Sequence, residues 1–249
     1  MIVTILVLVF FYLPILVLVI NSFNGSRYGS VWGGFSFRWY DKLFHDREIW
    51  RSVKNTVIVA FFSTSVSVIL GTLAGYTLYR FKSVLQKTHK ELISLPLVFP
   101  DVLMGISLLL FFISIRIPLS LFTVILGHIT FCVSYVAVTV LARFQEFDFS
   151  LVEAARDLGA PEGIVLFKII IPLLMPGILS GAMLALTLSL DDFIITFFTA
   201  GPGASTLPIQ IYSMIRFGTP PVINALSTLF LGVTFAITLI YQRLIRSEK

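Results

Sequence analysis

The sequence predicts an all-α membrane protein with six transmembrane helices, and three observations carry that prediction. Of its 249 residues, 57% are hydrophobic and only 12% are charged, about half the charge that a water-exposed domain usually carries. The apolar residues fall into six runs long enough to cross a hydrocarbon core of about 30 Å. These runs are continuously apolar rather than alternating, so each reads as a helix that satisfies its own backbone and not as a barrel strand.

The first run, Ile2–Ile20, lies in "MIVTILVLVFFYLPILVLVINSF". It has no basic leader and no small-residue cleavage site, so it is expected to remain as a span. The missing basic flank suggests that a few residues precede Met1. The second run, Val53–Tyr79, contains Gly71 and Gly75, a small-xxx-small pair that lets another helix approach closely. Runs three and four, Leu92–Ile115 and Ile117–Leu141, are joined by "IRIP", which demands an antiparallel hairpin with Pro118 opening the next helix. The fifth run is Leu173–Ala200 and the sixth Val222–Tyr241. No internal repeat interrupts this pattern, and residues 1–249 read as a single transmembrane domain.

The net charge of +5 comes from basic residues that flank apolar runs, where they set orientation and meet lipid headgroups. Nucleic acid is therefore not an expected partner. Cys132 is alone, which excludes an internal disulfide and argues against a metal cluster. No GxxxxGK[ST] occurs, so this chain holds no ATP of its own. With the N-terminus inside, Arg80, Lys82, Lys87, Lys90, Arg143, Arg156, Lys168, Arg243, Arg246 and Lys249 fall on the inner side. Arg27, Arg38, Lys42, Arg47, Arg51 and Lys54 of the first connection fall outside with Arg116 and Arg216, and dissent from the positive-inside rule.

The fourth connection, "FDFSLVEAARDLGAPEGIVLFKIIIPLLMPG", carries the most local information. Ser150 with Glu153 has the spacing of a capping box, so a short helix is expected over about 151–159. Gly159 is placed to end it, and Pro161 prevents simple continuation. Ala154 and Ala155 give that helix a shallow face. By spacing alone, the helix either docks into a partner's groove or lies along the membrane as a linker.

Glu153-Ala154-Ala155, Gly159 six residues after the glutamate, Ile169 and Pro172 resemble the EAA loop of permease subunits in binding-protein-dependent ABC importers. Ile171 stands where the pattern has leucine. The stretches "NSFN", "SFRWYDKLF", "FPDVLMGISLLLFF", "LSLDDFI" and "LPIQIYSMIRFGTPPVINAL" are similar to the smaller permeases of spermidine/putrescine importers, in order from residue 21 to residue 226. The resemblance implies a type I ABC importer permease architecture in which the EAA helix is a cytoplasmic coupling helix. It also implies a bacterial inner-membrane location with both termini cytoplasmic. The implied partners are a cytoplasmic ATPase dimer that binds ATP-Mg, a second permease subunit and an extracytoplasmic polyamine-binding protein. It further places Trp39, with Tyr40 beside it, on the polyamine's route, and ties Glu162 to uptake; a solvated loop acid is the other reading of Glu162.

Between Leu173 and Phe198 the only charges are Asp191 and Asp192, and Asp101 follows Pro100 within the third run. A carboxylate near the bilayer centre costs about 2.5–3.5 kcal/mol on insertion scales. Asp191 lies about 27 Å along its run at 1.5 Å per residue. No Lys or Arg lies inside any run to pair with these acids, so they need a cation, a proton or water. A linear polyammonium fits separated acids between apolar walls. Helix capping is the competing role for Asp192 or Asp191 at a helix break and for Asp101 after Pro100. His128 and Cys132, four residues apart, have metal-ligand spacing but also that of a helix–helix hydrogen bond. The functional reading is thus a permease subunit without chemistry of its own. The alternatives are an ion-coupled secondary transporter using the aspartates, or an EAA-type permease for another small solute.

Overall fold

The computed structural model describes residues 2–27, 31–80, 84–144, 148–218, 221–232 and 235. Its regular elements are helices, with one isolated β-bridge between Asn24 and Phe35. In chain order they are α1 (Ile2–Ser22), α2 (Arg38–His45), α3 (Arg47–Arg80), α4 (Gln86–Ser94), α5 (Asp101–Ser114) and α6 (Leu121–Phe144). Then come α7 (Ser150–Asp157), α8 (Glu162–Val165), α9 (Ile171–Asp191), α10 (Ile194–Thr199), α11 (Leu207–Phe217) and α12 (Pro221–Gly232). Four segments are long and apolar enough to cross a membrane: Val3–Ser22, Arg47–Arg80, Leu121–Phe144 and Glu162–Asp191. A fifth results if the bent pair Gln86–Leu97 and Asp101–Ser114 is one span. The predicted sixth run is described only through α12 and Phe235; its remainder, with Arg243, Arg246 and Lys249, lies outside the described residues, as does Lys82.

The chain forms two units, Met1–Arg51 with Gln210–Lys249, and Ser52–Ile209. In the first, Asn24 organises the connection after α1. Its side-chain oxygen accepts the amides of Ser26 (3.0 Å) and Gly33 (2.8 Å), and its Nδ2 donates to the Val31 carbonyl at 2.9 Å. The second unit is built around α6, which packs on α9, α10 and α5. The close approach expected at Gly71 and Gly75 is present. A Cβ on Gly71 would lie 2.6 Å from Val136 Cβ, and one on Gly75 would lie 3.0 Å from the Ala137 carbonyl. A second pair, Gly177 and Gly181 on α9, meets α6 in the same way, with ideal Cβ positions 2.8 Å from Arg143 Cβ and 3.2 Å from Val136 Cα. Val136 is thus held between two glycine-lined helices.

Three of the runs and the cap of the EAA helix differ from the sequence expectation, each for a local reason. The third run is not straight: it bends by 102° between Leu97 and Asp101, where Pro100 lacks an amide and forces Phe99 out of helical geometry. The fourth helix starts at Leu121 rather than at Pro118, because the Ser120 amide donates to Thr123 Oγ1 at 2.8 Å and starts the helix there. The loop before it turns through Arg116, which occupies a left-handed position (φ 57°) usually given to glycine. The fifth run stops at Asp191 and restarts at Ile194, with Asp192 extended between (φ −61°, ψ 127°). The EAA helix starts at Ser150 as expected, but no capping box forms. The Ser150 amide donates to Asp148 Oδ1 at 2.9 Å instead, so the acid two residues upstream takes the role assigned to Ser150. The Ser150 side chain and amide together hold the Asp148 carboxyl below the usual carboxylate range.

Replacing Gly71 with alanine forces α3 and α6 apart and is expected to lower stability by about 1–3 kcal/mol. The melting midpoint of the detergent-purified protein should drop, and Val136→Ala in the same chain should restore part of it. An unchanged midpoint in Gly71→Ala would show that the two helices separate without penalty.

Candidate functional site

The helix break at Asp192 creates the most distinctive chemistry in the second unit. When a helix stops within a bilayer, the first amides of the next helix have no water to bond. Asp192 supplies the acceptors: Oδ2 takes the Thr196 amide (2.9 Å) and the Thr196 hydroxyl (2.9 Å), and Oδ1 takes the Ile195 amide at 3.3 Å. α10 is then pinned to α6, because the Thr123 hydroxyl donates to the Thr199 carbonyl at 2.8 Å.

Asp192 also has a partner that the sequence reading did not assign. His128 on α6 has a side chain only 1% exposed, and its Nε2 lies 3.2 Å from Asp192 Oδ2 and 2.8 Å from Thr196 Oγ1. Its Nδ1 lies 2.7 Å from Ser189 Oγ on α9, which in turn lies 3.0 Å from Ser63 Oγ on α3. Both ring nitrogens are therefore bonded across helices. Cys132 points its Sγ to the Ala185 carbonyl at 3.5 Å. Among the described residues no group of three His, Cys, Asp or Glu is placed to hold a metal. One rule available from the sequence would have found the His128 pairing: a buried ionisable residue in a span needs a named partner, and the acids of the fifth run were the nearest offer of opposite charge.

Asp101, Asp191 and Asp192 line one cavity of about 280 Å³, walled by Phe131, Tyr135 and Phe193. The bend before α5 brings Asp101 there as the first residue of that helix, and Pro100, not Asp101, occupies the cap position. No Lys or Arg lines the cavity. Asp192 spends Oδ2 on three contacts within the protein and Oδ1 on the Ile195 amide alone, whereas Asp191, at the end of α9, and Asp101 are exposed. Phe131 and Tyr135, four residues apart on one face of α6, are walls that the sequence reading did not single out.

Trp39 and Tyr40 do not line that cavity. Trp39 is buried in the first unit, with its indole N–H donated to the Asn24 carbonyl at 2.6 Å, and the Tyr40 hydroxyl bonds Ser22 Oγ at 2.7 Å. Arg38 stacks 5.3 Å from the Trp39 ring centre. The cavity of about 230 Å³ beside Trp39 is basic, lined by Arg27, Arg38 and Lys42.

The EAA segment forms a second surface. α7 ends at Asp157, and Gly159, with a φ of 80°, closes the turn after it, with the Ala160 amide bonded to the Ala155 carbonyl at 3.0 Å. Glu153, Ala154 and Leu158 are exposed there, Leu158 at 89%. Arg156 Nη2 reaches Glu162 across the turn at 2.9 Å, and that pairing raises the arginine above its ordinary range. Beneath α7, Tyr79 is stacked between Phe144 and Phe149 at 4.7 and 4.8 Å, joining the ends of α3 and α6 to the start of α7.

Comparison with known proteins agrees with this architecture. Residues 67–247 match the family described as binding-protein-dependent transport system inner membrane component. The chain is 37% identical over 239 residues to the spermidine/putrescine transport system permease protein PotC of Haemophilus influenzae, covering 96% of this chain and 93% of that protein. It is 43% identical over 248 residues to the putrescine transport system permease protein PotI of Escherichia coli K12, covering 96% and 88%. Among solved structures, a bacterial ABC transporter involved in import of the acidic polysaccharide alginate shares the fold, with a TM-score of 0.77 at 17% identity over 97% of this chain and 93% of that one.

If Asp192 caps α10, Asp192→Ala should lower stability by about 1–3 kcal/mol by leaving two amides and His128 without their acceptor. Asp192→Asn should lose less, since asparagine caps about as well as aspartate. Thermal melting of the purified variants checks the order; equal midpoints for Ala and wild type would remove the cap.

Proposed function

Because the chain belongs to the family of binding-protein-dependent transport system inner membrane components, we propose that it is the transmembrane subunit of an ATP-driven importer that carries polyamines across the bacterial cytoplasmic membrane. One observation carries the substrate class. Asp101, Asp191 and Asp192 converge on a single cavity with aromatic walls and no basic lining residue. A flexible chain of ammonium groups separated by methylenes matches those acids and rings through charge-assisted hydrogen bonds and cation–π contact. The substrates for which the two relatives are named support the same class. Those relatives are transport permeases and not enzymes, in keeping with a chain that performs no reaction itself.

In this reading Asp191 and Asp101 are the carboxylates most open to the passing cation, and Asp192, which also caps α10, offers it Oδ1. Trp39 and Tyr40 order the outer connection, through which the substrate arrives from an extracytoplasmic polyamine-binding protein. Glu153, Ala154, Ala155 and Gly159 present the surface gripped by a cytoplasmic ATPase dimer that carries ATP-Mg. Glu162 braces that surface through Arg156. A second permease subunit completes the pathway, and both termini lie in the cytoplasm. The Tyr79 stack supports this assignment of coupling, since force applied to α7 reaches α3 and α6 through packed rings.

Two variants test the proposal. Asp191→Asn and Asp101→Asn keep the shape of the acid and remove its charge. Each should cost on the order of 1.5–3 kcal/mol of substrate interaction, or tenfold or more in uptake efficiency. Labelled spermidine and putrescine uptake by cells with normal membrane levels of the protein is the measurement, and wild-type uptake in the double variant would remove the substrate class.

For coupling, Gly159→Pro should leave the protein inserted while abolishing substrate-stimulated ATP hydrolysis, because proline cannot adopt φ near +80°. Normal stimulation in an assembled complex would rule out docking through α7.

A further inference from the structure

The side chains behind the acidic cavity form a hydrogen-bonded chain across α3, α9, α6 and α10. Thr196 has one hydroxyl hydrogen and the Asp192 carboxylate only accepts, so the 2.9 Å bond from Thr196 Oγ1 to Asp192 Oδ2 uses that hydrogen. His128 Nε2 then faces two acceptors, Thr196 Oγ1 at 2.8 Å and Asp192 Oδ2 at 3.2 Å, and must carry a hydrogen itself. In the neutral ring this makes Nδ1 an acceptor. With that ring the Ser189 hydroxyl donates to Nδ1 over 2.7 Å, and Ser63 Oγ, 3.0 Å from Ser189 Oγ and 3.4 Å from the Ala60 carbonyl, is left to donate to either. The chain runs from Ser63 on α3 through Ser189 on α9 and His128 on α6 to Asp192.

The consequence at Asp192 is unequal use of its two oxygens. Oδ2 receives the Thr196 amide, the Thr196 hydroxyl and His128. Oδ1 receives the Ile195 amide alone, at 3.3 Å. Capping α10 requires only the amides; a buried imidazole bonded at both nitrogens exceeds that requirement. We propose that His128 is a positioning residue of the cation site. It holds Oδ2 within the protein and fixes the rotation of the carboxylate, so that Oδ1 keeps capacity for an ammonium group in the cavity. Ser189, as donor to Nδ1, holds the tautomer that makes this possible. The inference rests on the polyamine reading and deepens it: it adds a residue that acts on substrate affinity through Asp192.

The test is uptake kinetics in the assembled importer, with spermidine and putrescine as probes. His128→Leu should raise KM about tenfold and leave Vmax within about twofold, as expected for lost ground-state binding. His128→Gln, which can still direct an N–H at Asp192, should recover KM to within about threefold of wild type. Residues acting through one another are non-additive, so His128→Leu with Asp192→Asn should be no worse than Asp192→Asn alone. If His128→Leu fails to reach the membrane, Ser189→Ala, which removes the donor to Nδ1, should raise KM in the same direction. A fall in Vmax at unchanged KM, additive losses in the double variant, or an unchanged KM in Ser189→Ala would overturn the role of His128 while leaving the polyamine reading intact. A wild-type importer that takes up no polyamine would overturn both.

Discussion

A helix that stops inside a bilayer must bring its own hydrogen-bond acceptors, and here the acceptor is the Asp192 carboxylate. Ile195 and Thr196 are buried and their amides need an acceptor inside the protein, and the acid at the break before α10 supplies it. That acid could not stand alone at such depth. It is held by His128 and Thr196, and through Ser189 and Ser63 it connects four helices. The same break leaves Asp191 at the end of α9 with its carboxylate exposed beside the cavity. Of two neighbouring aspartates, Asp192 caps α10 and carries the network while Asp191 stays exposed, a division that follows from successive residues pointing in different directions.

Around that network the helices meet through glycine. Gly71 and Gly75 on α3 and Gly177 and Gly181 on α9 bring both backbones close to α6, with Val136 between them. In a membrane, van der Waals packing and interhelical hydrogen bonds supply the association energy that burial from water supplies elsewhere. Close backbone approach serves the first, and the serine–histidine–aspartate chain serves the second. The result is a scaffold that continues through Tyr79, Phe144 and Phe149 into the exposed EAA helix. Conformational change applied at that helix has a contiguous packed route toward the spans that carry the acids.

The two cavities carry opposite charge. The cavity beside Trp39 is lined by Arg27, Arg38 and Lys42, whereas the one in the second unit is lined by three aspartates. The face of the Trp39 ring beside the first cavity is covered by Arg38 at 5.3 Å. The basic residues of the first connection, which run against the positive-inside rule, gather in part at this place.

The sequence by itself determined the class of protein, the EAA segment, the close approach at Gly71 and Gly75 and the acids worth attention. Each of these depends on composition or on spacing within one stretch of chain. The helix at Ser150–Asp157 was legible for the same reason, since Gly159 is a local stop signal. What only the tertiary structure decided was how the acids divide. Asp192 and His128 lie 64 positions apart, and their pairing depends on how α6, α9 and α10 pack. The 102° bend at Pro100 and the break at Asp192 stood in the sequence only as alternatives, because hydropathy reads a bent or broken span as one apolar run. Proline flagged the first, but only the fold shows that both interruptions face one cavity, because convergence of distant backbone ends is a property of packing and not of any segment.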